Sequence, residues 1–134
     1  MTKAIDMLDT YPATLRMDKQ MLGRCIDECV TCAQACTACA DACLSEDDAA
    51  GLATCVRRDL DCADICEATG RVLSRHTGDD PGVIAAVLRA CAAACAACGS
   101  ECERHASRHR HCQVCAEACR RCENACREVL SALG

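Results

Sequence analysis

The chain has 134 residues and a net charge of −5 at pH 7, which is the size of a single domain. Its acidic balance, with a pI near 5.3, argues against a nucleic-acid partner. The sequence contains no run of 18 apolar residues, so we expect no membrane span. It has no apolar stretch near Met1, so we expect no signal peptide. We therefore expect one cytoplasmic domain over residues 1–134.

Cysteine dominates the apolar content of the chain. The sequence has 18 cysteines, and Tyr11 is its only aromatic residue. Because aromatic and large aliphatic side chains normally fill a core, cysteine must take much of that place here. In a chain without a visible export route, such a density indicates metal or redox chemistry and not a secreted disulfide scaffold.

The predicted elements are all helical. The chain is rich in Ala, Leu, Arg and Glu and has only two prolines, a composition typical of helices. A short helical or irregular segment precedes Pro12. Three breaks between helices follow. Segment 45–48 is similar to a capping box, and segment 77–81 has a glycine stop, aspartate caps and Pro81. The third break lies around 103–107. The sequence thus predicts an antiparallel four-helix bundle, with helices at roughly 13–44, 47–76, 81–103 and 106–132.

Cysteines recur every three or four residues along each predicted helix, which places them on one helix face. The first helix carries Cys25, Cys29, Cys32, Cys36, Cys39 and Cys43. The second carries Cys55, Cys62 and Cys66, with Asp59 in the position where the pattern calls for another cysteine. The third carries Cys91, Cys95, Cys98 and Cys102, and the fourth carries Cys112, Cys115, Cys119, Cys122 and Cys126. We expect all four rows to face a common, cysteine-lined core.

Metal binding explains these rows better than packing or disulfides. Thiols alone fill a core poorly in comparison with leucine. Residues three or four apart on a helix have Cβ atoms about 5–6 Å apart, whereas a disulfide needs about 3.5–4.5 Å. Disulfides between helices remain geometrically possible, but a cytosolic protein would not keep them.

Among metals, the charge and softness of Cu(I) fit best. Zinc takes about four thiolates per ion, which would leave a large negative charge in the core. Iron–sulfur clusters usually take cysteines from loops around one compact cluster, and not from a continuous ladder. Cu(I) is soft and monovalent, so that one ion per bridging thiolate makes the core neutral. The sequence predicts multiple Cu(I) ions per chain.

Two other functions remain open at this stage. One is a general thiolate sink for zinc, cadmium or silver, which would differ from Cu(I) storage in the number of ions bound per cysteine. The other is a thiol redox or electron-transfer protein, suggested by the Cys-x-x-Cys pairs Cys29/Cys32 and Cys112/Cys115. Redox pairs need an exposed thiol of low pKa, and mid-helix positions disfavour that. No catalytic constellation is visible, so we expect no enzyme activity.

The two ends of the predicted bundle differ in character. Extending the rows toward one end brings Asp59, His105 and His109 to its entrance as further candidate metal ligands. His111, also a candidate ligand, lies next to the row but is rotated off it. The opposite end is apolar and includes Met17 and Met21, which either fill the core or contact soft metal. His76 is expected at the surface near a helix end.

These rows of cysteine, together with the histidine-rich segment 104–112, make the chain similar to the bacterial copper storage proteins of the cytosolic branch. The similarity extends from about Met17 to Leu133. It implies a homotetramer of four-helix bundles with cores loaded with Cu(I) and a histidine-lined entrance. The second helix departs from the pattern because Asp59 replaces a cysteine. The copper donor and acceptor are not indicated.

Two further apolar surfaces are predicted to meet another subunit. One is the alanine-rich face of the third helix, around 92–97. The other is a second row on the second helix, formed by Leu52, Val56, Leu60 and Ala63.

Overall fold

The computed structural model describes residues 2–134, which form five α-helices and one 3-10 helix with no β-strand. The helices are α1 (Ala4–Asp9), α2 (Lys19–Leu44), the 3-10 helix (Ala49–Leu52), α3 (Ala53–Leu73), α4 (Pro81–His105) and α5 (Arg110–Leu133). The predicted all-α class is confirmed.

The residues predicted to mark the break before α4 do so. Asp80 accepts hydrogen bonds from the backbone of Gly82 and Val83, and Pro81 is the first residue of α4. Gly78, just before them, has a φ of +64°, a conformation that glycine adopts without steric cost. The break before α4 therefore lies where the sequence predicts it, but α3 ends at Leu73, earlier than the predicted residue 76, so that residues 74–80 form the connection.

Helix α2 begins at Lys19, later than the predicted residue 13. Asp18 caps it by accepting a hydrogen bond from the Met21 backbone nitrogen. The preceding residues form an irregular connection, in which Leu15 and Met17 pack against the core. Partial burial of these two apolar side chains in an irregular segment, followed by the Asp18 cap, accounts for the later start.

The connection at 45–48 does not act as the predicted capping box. Asp48 makes no capping hydrogen bond with its side chain, and a 3-10 helix follows before α3 begins. The carboxylates of Glu46 and Asp48 instead contact His109 across the fold. Helix α5 starts at Arg110, later than the predicted 106, because 106–108 form a turn and His109 has an extended backbone.

The four long helices enclose one core. Helix α2 packs against α3 and α5, α4 packs against the same two helices, and α1 packs on α2. Sulfur fills most of the core. Toward one end the core is aliphatic, with the fully buried side chains of Leu22, Leu73, Leu88 and Val129. Each long helix packs against two others, and this packing keeps its row of cysteines away from solvent.

One sequence prediction about a surface needs revision. Leu52 and Ala63 are buried within the chain and Val56 is partly buried against the core, so that of this row only Leu60, at 46% exposed, is open to another subunit. Helix α4 is long and apolar enough, by length and composition alone, to cross a membrane. In this fold α4 directs Ile84, Leu88 and its cysteines into the core.

Candidate metal centre

All 18 cysteines carry free thiols and line the core. Cys39 is 2% exposed and each of the other cysteines is 0% exposed. The spacing of three and four residues produces this result directly, because it keeps each row on the inward face of its helix.

Contacts between sulfur atoms run along the whole core. At one end Cys25 of α2 lies 3.9 Å from Cys126 of α5, and toward the other end Cys39 lies 4.0 Å from Cys112. Between α3 and α4, Cys55 lies 3.6 Å from Cys102. The thiols therefore form a continuous sulfur-lined interior and not isolated pairs.

Within this interior, groups of four cysteines have ligand atoms within 4.8 Å of one another. A metal–sulfur bond of about 2.3 Å places two sulfurs on one ion at most about 4.6 Å apart, so these groups have the dimensions of metal sites. The groups are Cys29/Cys91/Cys122/Cys126, Cys32/Cys66/Cys95/Cys122, Cys32/Cys36/Cys62/Cys119 and Cys36/Cys98/Cys115/Cys119. Each shares at least one cysteine with the next, so a bridging thiolate can link neighbouring ions.

Asp59 lies deep inside the sulfur core. Its side chain is 0% exposed, and its Oδ1 atom accepts hydrogen bonds from the thiols of Cys98, Cys102 and Cys115 at 2.9, 3.4 and 3.3 Å. Burial raises the pKa of the Asp59 carboxyl, against the lowering effect of these hydrogen bonds. The prediction that Asp59 lines the entrance is wrong, because α3 continues past it to Cys55, which lies closer to the end of the core.

His111 is the histidine that reaches the sulfur atoms. Its Nδ1 atom lies 3.3 Å from Cys39 Sγ and 3.7 Å from Cys112 Sγ, and its Nε2 atom lies 2.8 Å from Glu46. With Cys43 these residues form a further group of metal dimensions. His111 lies beside the cysteine row, immediately before Cys112, and its ring reaches Cys39 because the first turn of α5 directs it toward α2, so His111 remains a candidate metal ligand.

The other two histidines of the segment are held by carboxylates. His109 contacts Glu46 through Nδ1 at 2.9 Å and Asp48 through Nε2 at 3.1 Å, and its ring stacks on His111. His105 contacts Glu101 through Nε2 at 2.9 Å and Arg108 through Nδ1 at 3.2 Å. Both ring nitrogens of His109 and both ring nitrogens of His105 therefore have a charged side chain as partner.

Sequence reasoning missed the two acidic partners at this end. Glu46 and Asp48 belong to a connection whose composition indicates helix capping, and their histidine partners lie more than 60 positions away. The hydrogen bond from His109 lowers the pKa of the Asp48 carboxyl. The two connections at this end of the core are therefore joined by charged hydrogen bonds.

The thiols of Cys43 and Cys112, near this end, favour their neutral form without metal. Burial, followed by repulsion from Cys39, raises the pKa of Cys112 to about 12. Burial likewise raises the pKa of Cys43. A cation must therefore displace protons to obtain thiolate ligands here.

At the opposite end, His76 and Met17 line one small cavity of about 70 Å³ together with Leu22. The ring of His76 packs edge-on against Tyr11, with ring centres 5.1 Å apart. Met21 packs against the core from a partly buried position. His76 lies just beyond the end of α3, so it is near a helix end as expected.

A model of the copper storage protein family matches residues 18–131 of this chain. An uncharacterized cysteine-rich protein of Bacillus subtilis (strain 168), YhjQ, is 38% identical over 111 residues, which cover 78% of this chain and 92% of that protein.

Two solved structures from Streptomyces lividans are also similar. One is the copper storage protein Ccsp loaded with 10 copper equivalents, which is 63% identical with a TM-score of 0.94 and covers 96% of this chain and 98% of that chain. The other is a cytosolic copper storage protein described with five coppers. It is 65% identical with a TM-score of 0.85 and covers 86% of this chain and 96% of that chain.

Proposed function

Because the chain belongs to the copper storage protein family, we propose that it stores multiple Cu(I) ions on the thiolates of its core. The observation that carries this function is the series of four-cysteine groups that share ligands from one group to the next. Soft, monovalent Cu(I) fits such a series because a thiolate can bridge two ions and each added ion cancels one thiolate charge.

The arrangement that supports storage is an antiparallel four-helix bundle forming one domain. Two contacts between α2 and α5 support the antiparallel order. Cys25 near the start of α2 contacts Cys126 near the end of α5, and Cys39 near the end of α2 contacts Cys112 near the start of α5. On α3 and α4, Cys66 meets Cys91 while Cys55 meets Cys102. The short connections between the long helices fit the same order.

All 18 cysteines are the proposed ligands, and His111 joins them at the end near Cys39, Cys43 and Cys112. Asp59 has a different role in this proposal. Its carboxylate accepts thiol hydrogen bonds in the metal-free core and can hold a proton that an incoming Cu(I) displaces from Cys98 or Cys115.

Copper enters, in this proposal, at the end that carries the histidines. The aliphatic end offers Leu22, Leu73 and Leu88, across which a charged ion moves only at high cost. At the other end His111 presents a nitrogen beside two thiols, and imidazole is a weaker ligand for Cu(I) than thiolate. An ion can therefore bind first at His111 and then pass inward by exchange between shared cysteines.

His105 and His109 act as positioning residues in this entrance. His109 stacks on His111 and shares the Glu46 carboxylate with it, which fixes the orientation of the His111 ring. His105, held by Glu101, stabilises the end of α4 beside the connection. Copper is the cargo, and storage requires no catalytic step.

We place the protein in the cytoplasm as a homotetramer. The reducing cytosol keeps cysteines as thiols, and the similar Streptomyces lividans protein is described as cytosolic. Helices α3 and α4 have two of the exposed apolar side chains, Leu60 and Val83, that another subunit could cover.

A titration of reduced protein with Cu(I) against a competing chelator tests the function. We expect a capacity of many ions per chain, approaching one per cysteine, and loss of that capacity when the thiols are alkylated. About four ions per chain, or preference for Zn²⁺ under the same conditions, would instead establish a general thiolate sink.

A further inference from the structure

A single carboxylate group lies among the sulfur atoms of the core. The Oδ1 atom of the fully buried Asp59 lies 2.9 Å from the sulfur of Cys98, 3.4 Å from that of Cys102 and 3.3 Å from that of Cys115. These cysteines belong to α4 and α5 and are fully buried as well. Three sulfur atoms therefore surround one oxygen atom, which makes this group chemically different from the groups of four cysteines.

The dimensions of the group are close to those of a tetrahedral metal site with one oxygen and three sulfur ligands. Zinc–oxygen and zinc–sulfur bonds of about 2.0 and 2.3 Å place an oxygen about 3.5 Å from each sulfur and two sulfurs about 3.8 Å apart. In the metal-free core Cys98 Sγ lies 4.0 Å from Cys102 Sγ, and the ligand atoms of Cys98 and Cys115 lie within 4.8 Å of each other. The oxygen–sulfur distances need to increase by only about 0.6 Å or less to admit an ion.

This mixed set of ligands favours a divalent cation of intermediate softness. Cu(I) selects sulfur, whereas Mg²⁺ and Ca²⁺ select oxygen. Zn²⁺ accepts both carboxylate oxygen and thiolate sulfur, and its structural sites are closed and tetrahedral. A buried group of one carboxylate and three thiols has the composition of such a site.

Two features favour this group over the groups of four cysteines. Only three thiols, and not four, give up a proton when Zn²⁺ binds here. Two further thiols lie beside the ligands, since Cys55 Sγ is 4.0 Å from Asp59 Oδ2 and Cys36 Sγ is 3.7 Å from Cys115 Sγ. While they stay protonated, these neighbours donate hydrogen bonds to the negative charge that remains around one zinc ion. A second ion nearby removes those donors, so the core supports one such ion.

We infer that Asp59, Cys98, Cys102 and Cys115 form a site for a single divalent cation such as Zn²⁺, in addition to Cu(I) storage. Asp59 supplies the oxygen ligand that the four-cysteine groups lack, and it thereby sets the preference for a divalent ion at this level of the core. The ion replaces three thiol protons, which pass to solvent. One ion per chain also distinguishes this site from a general thiolate sink, which takes about one ion per four cysteines.

A titration of the reduced, metal-free protein with Zn²⁺ against a chromophoric chelator tests the site. We expect one zinc ion per chain to bind more tightly than any further ion. With one equivalent bound, X-ray absorption at the zinc edge should show three sulfur ligands at about 2.3 Å and one oxygen ligand at about 2.0 Å. Four sulfur ligands, several equivalent zinc ions per chain, or no bound zinc would each overturn the site.

Variants at Asp59 separate the contribution of the carboxylate from that of the thiols. Asp59→Ala should bind the first zinc ion at least about tenfold more weakly, because it removes a ligand. Asp59→Cys completes a set of four thiols, and its zinc spectrum should change to four sulfur ligands. Zinc affinity equal to wild type in Asp59→Ala, or an oxygen ligand that persists in Asp59→Cys, would contradict the assignment.

The matched control is Thr69→Ala, which alters another fully buried polar residue of α3, one whose hydroxyl donates to the backbone oxygen of Ile65. Its zinc affinity should equal that of wild type, and a loss as large as that of Asp59→Ala would overturn the site. Circular dichroism checks that the metal-free variants are helical. The site does not depend on the proposed storage function, so a failed copper titration would count against storage and leave the zinc site standing.

Discussion

The thiol of Cys98 donates a hydrogen bond to the Oδ1 atom of Asp59 at 2.9 Å, in the middle of a core made of sulfur. The same carboxylate oxygen receives the thiols of Cys102 and Cys115, so one carboxylate organises three cysteines from two other helices. Asp59 therefore connects α3 with α4 and α5 at a level where α3 supplies no cysteine.

Replacing Asp59 by Ala should destabilise the metal-free protein. Three buried donors lose their acceptor and a cavity remains, which we expect to cost about 1–2 kcal/mol. Asp59→Asn keeps an acceptor oxygen and should lose less. Urea unfolding of the reduced, metal-free proteins measures the difference. Equal stability of Asp59→Ala and wild type would show that the hydrogen bonds do not support the core.

Replacing His111 by Ala should slow copper uptake with little effect on capacity. The variant loses the nitrogen beside Cys39 and Cys112, so we expect uptake to be about tenfold slower. Final stoichiometry should fall by about one ion at most. Stopped-flow uptake and equilibrium titration separate the two effects, and His76→Ala at the opposite end is the control. Uptake at the wild-type rate would place the entrance elsewhere.

The metal-free protein should lose stability at alkaline pH. Burial raises the pKa of Cys112 to about 12, whereas a thiol in an unfolded chain has a pKa of about 8.5. A raised folded-state pKa contributes stability that is fully present below pH of about 8.5 and is lost as pH rises toward 12.

Thermal unfolding between pH 7 and pH 11 measures this loss. We expect the Tm of the reduced, metal-free protein to fall by at least about 4 °C, and the Tm of the copper-loaded protein to change less, because its thiols are already deprotonated. A constant Tm for the metal-free protein would contradict the protonated core.

Substituting Gly23 by Leu should detach α1. A Cβ atom at Gly23 would overlap Ile5 Cδ1 and lie 3.5 Å from Leu8 Cδ1, so a larger side chain occupies the place of α1. We expect amide exchange in α1 to accelerate about tenfold or more. Gly51→Leu is the control, because a Cβ atom there meets nothing within 4 Å. Unchanged exchange would mean that α1 adjusts without leaving α2.

Composition was sufficient to predict the all-α class, and spacing along the chain was sufficient to predict the inward rows of cysteine. A helix has 3.6 residues per turn, so steps of three and four place Cys25 through Cys43 on one face whatever the rest of the fold does. Softness and charge then favoured Cu(I), since both depend on the number and type of ligands and not on their exact positions. Asp80 and Pro81 likewise define the start of α4 through local geometry.

The tertiary structure decided the contacts between residues far apart in sequence. His111 meets Cys39 across 72 positions, and Asp59 is enclosed by α4 and α5 instead of facing the entrance. Glu46 belongs to a segment that could cap a helix, but it binds His109 and His111 instead. The reason is that the connection after α2 and the connection before α5 meet at one end of the core. Local periodicity fixes the face of each helix, whereas the relative register of packed helices and the course of their connections determine which side chains meet.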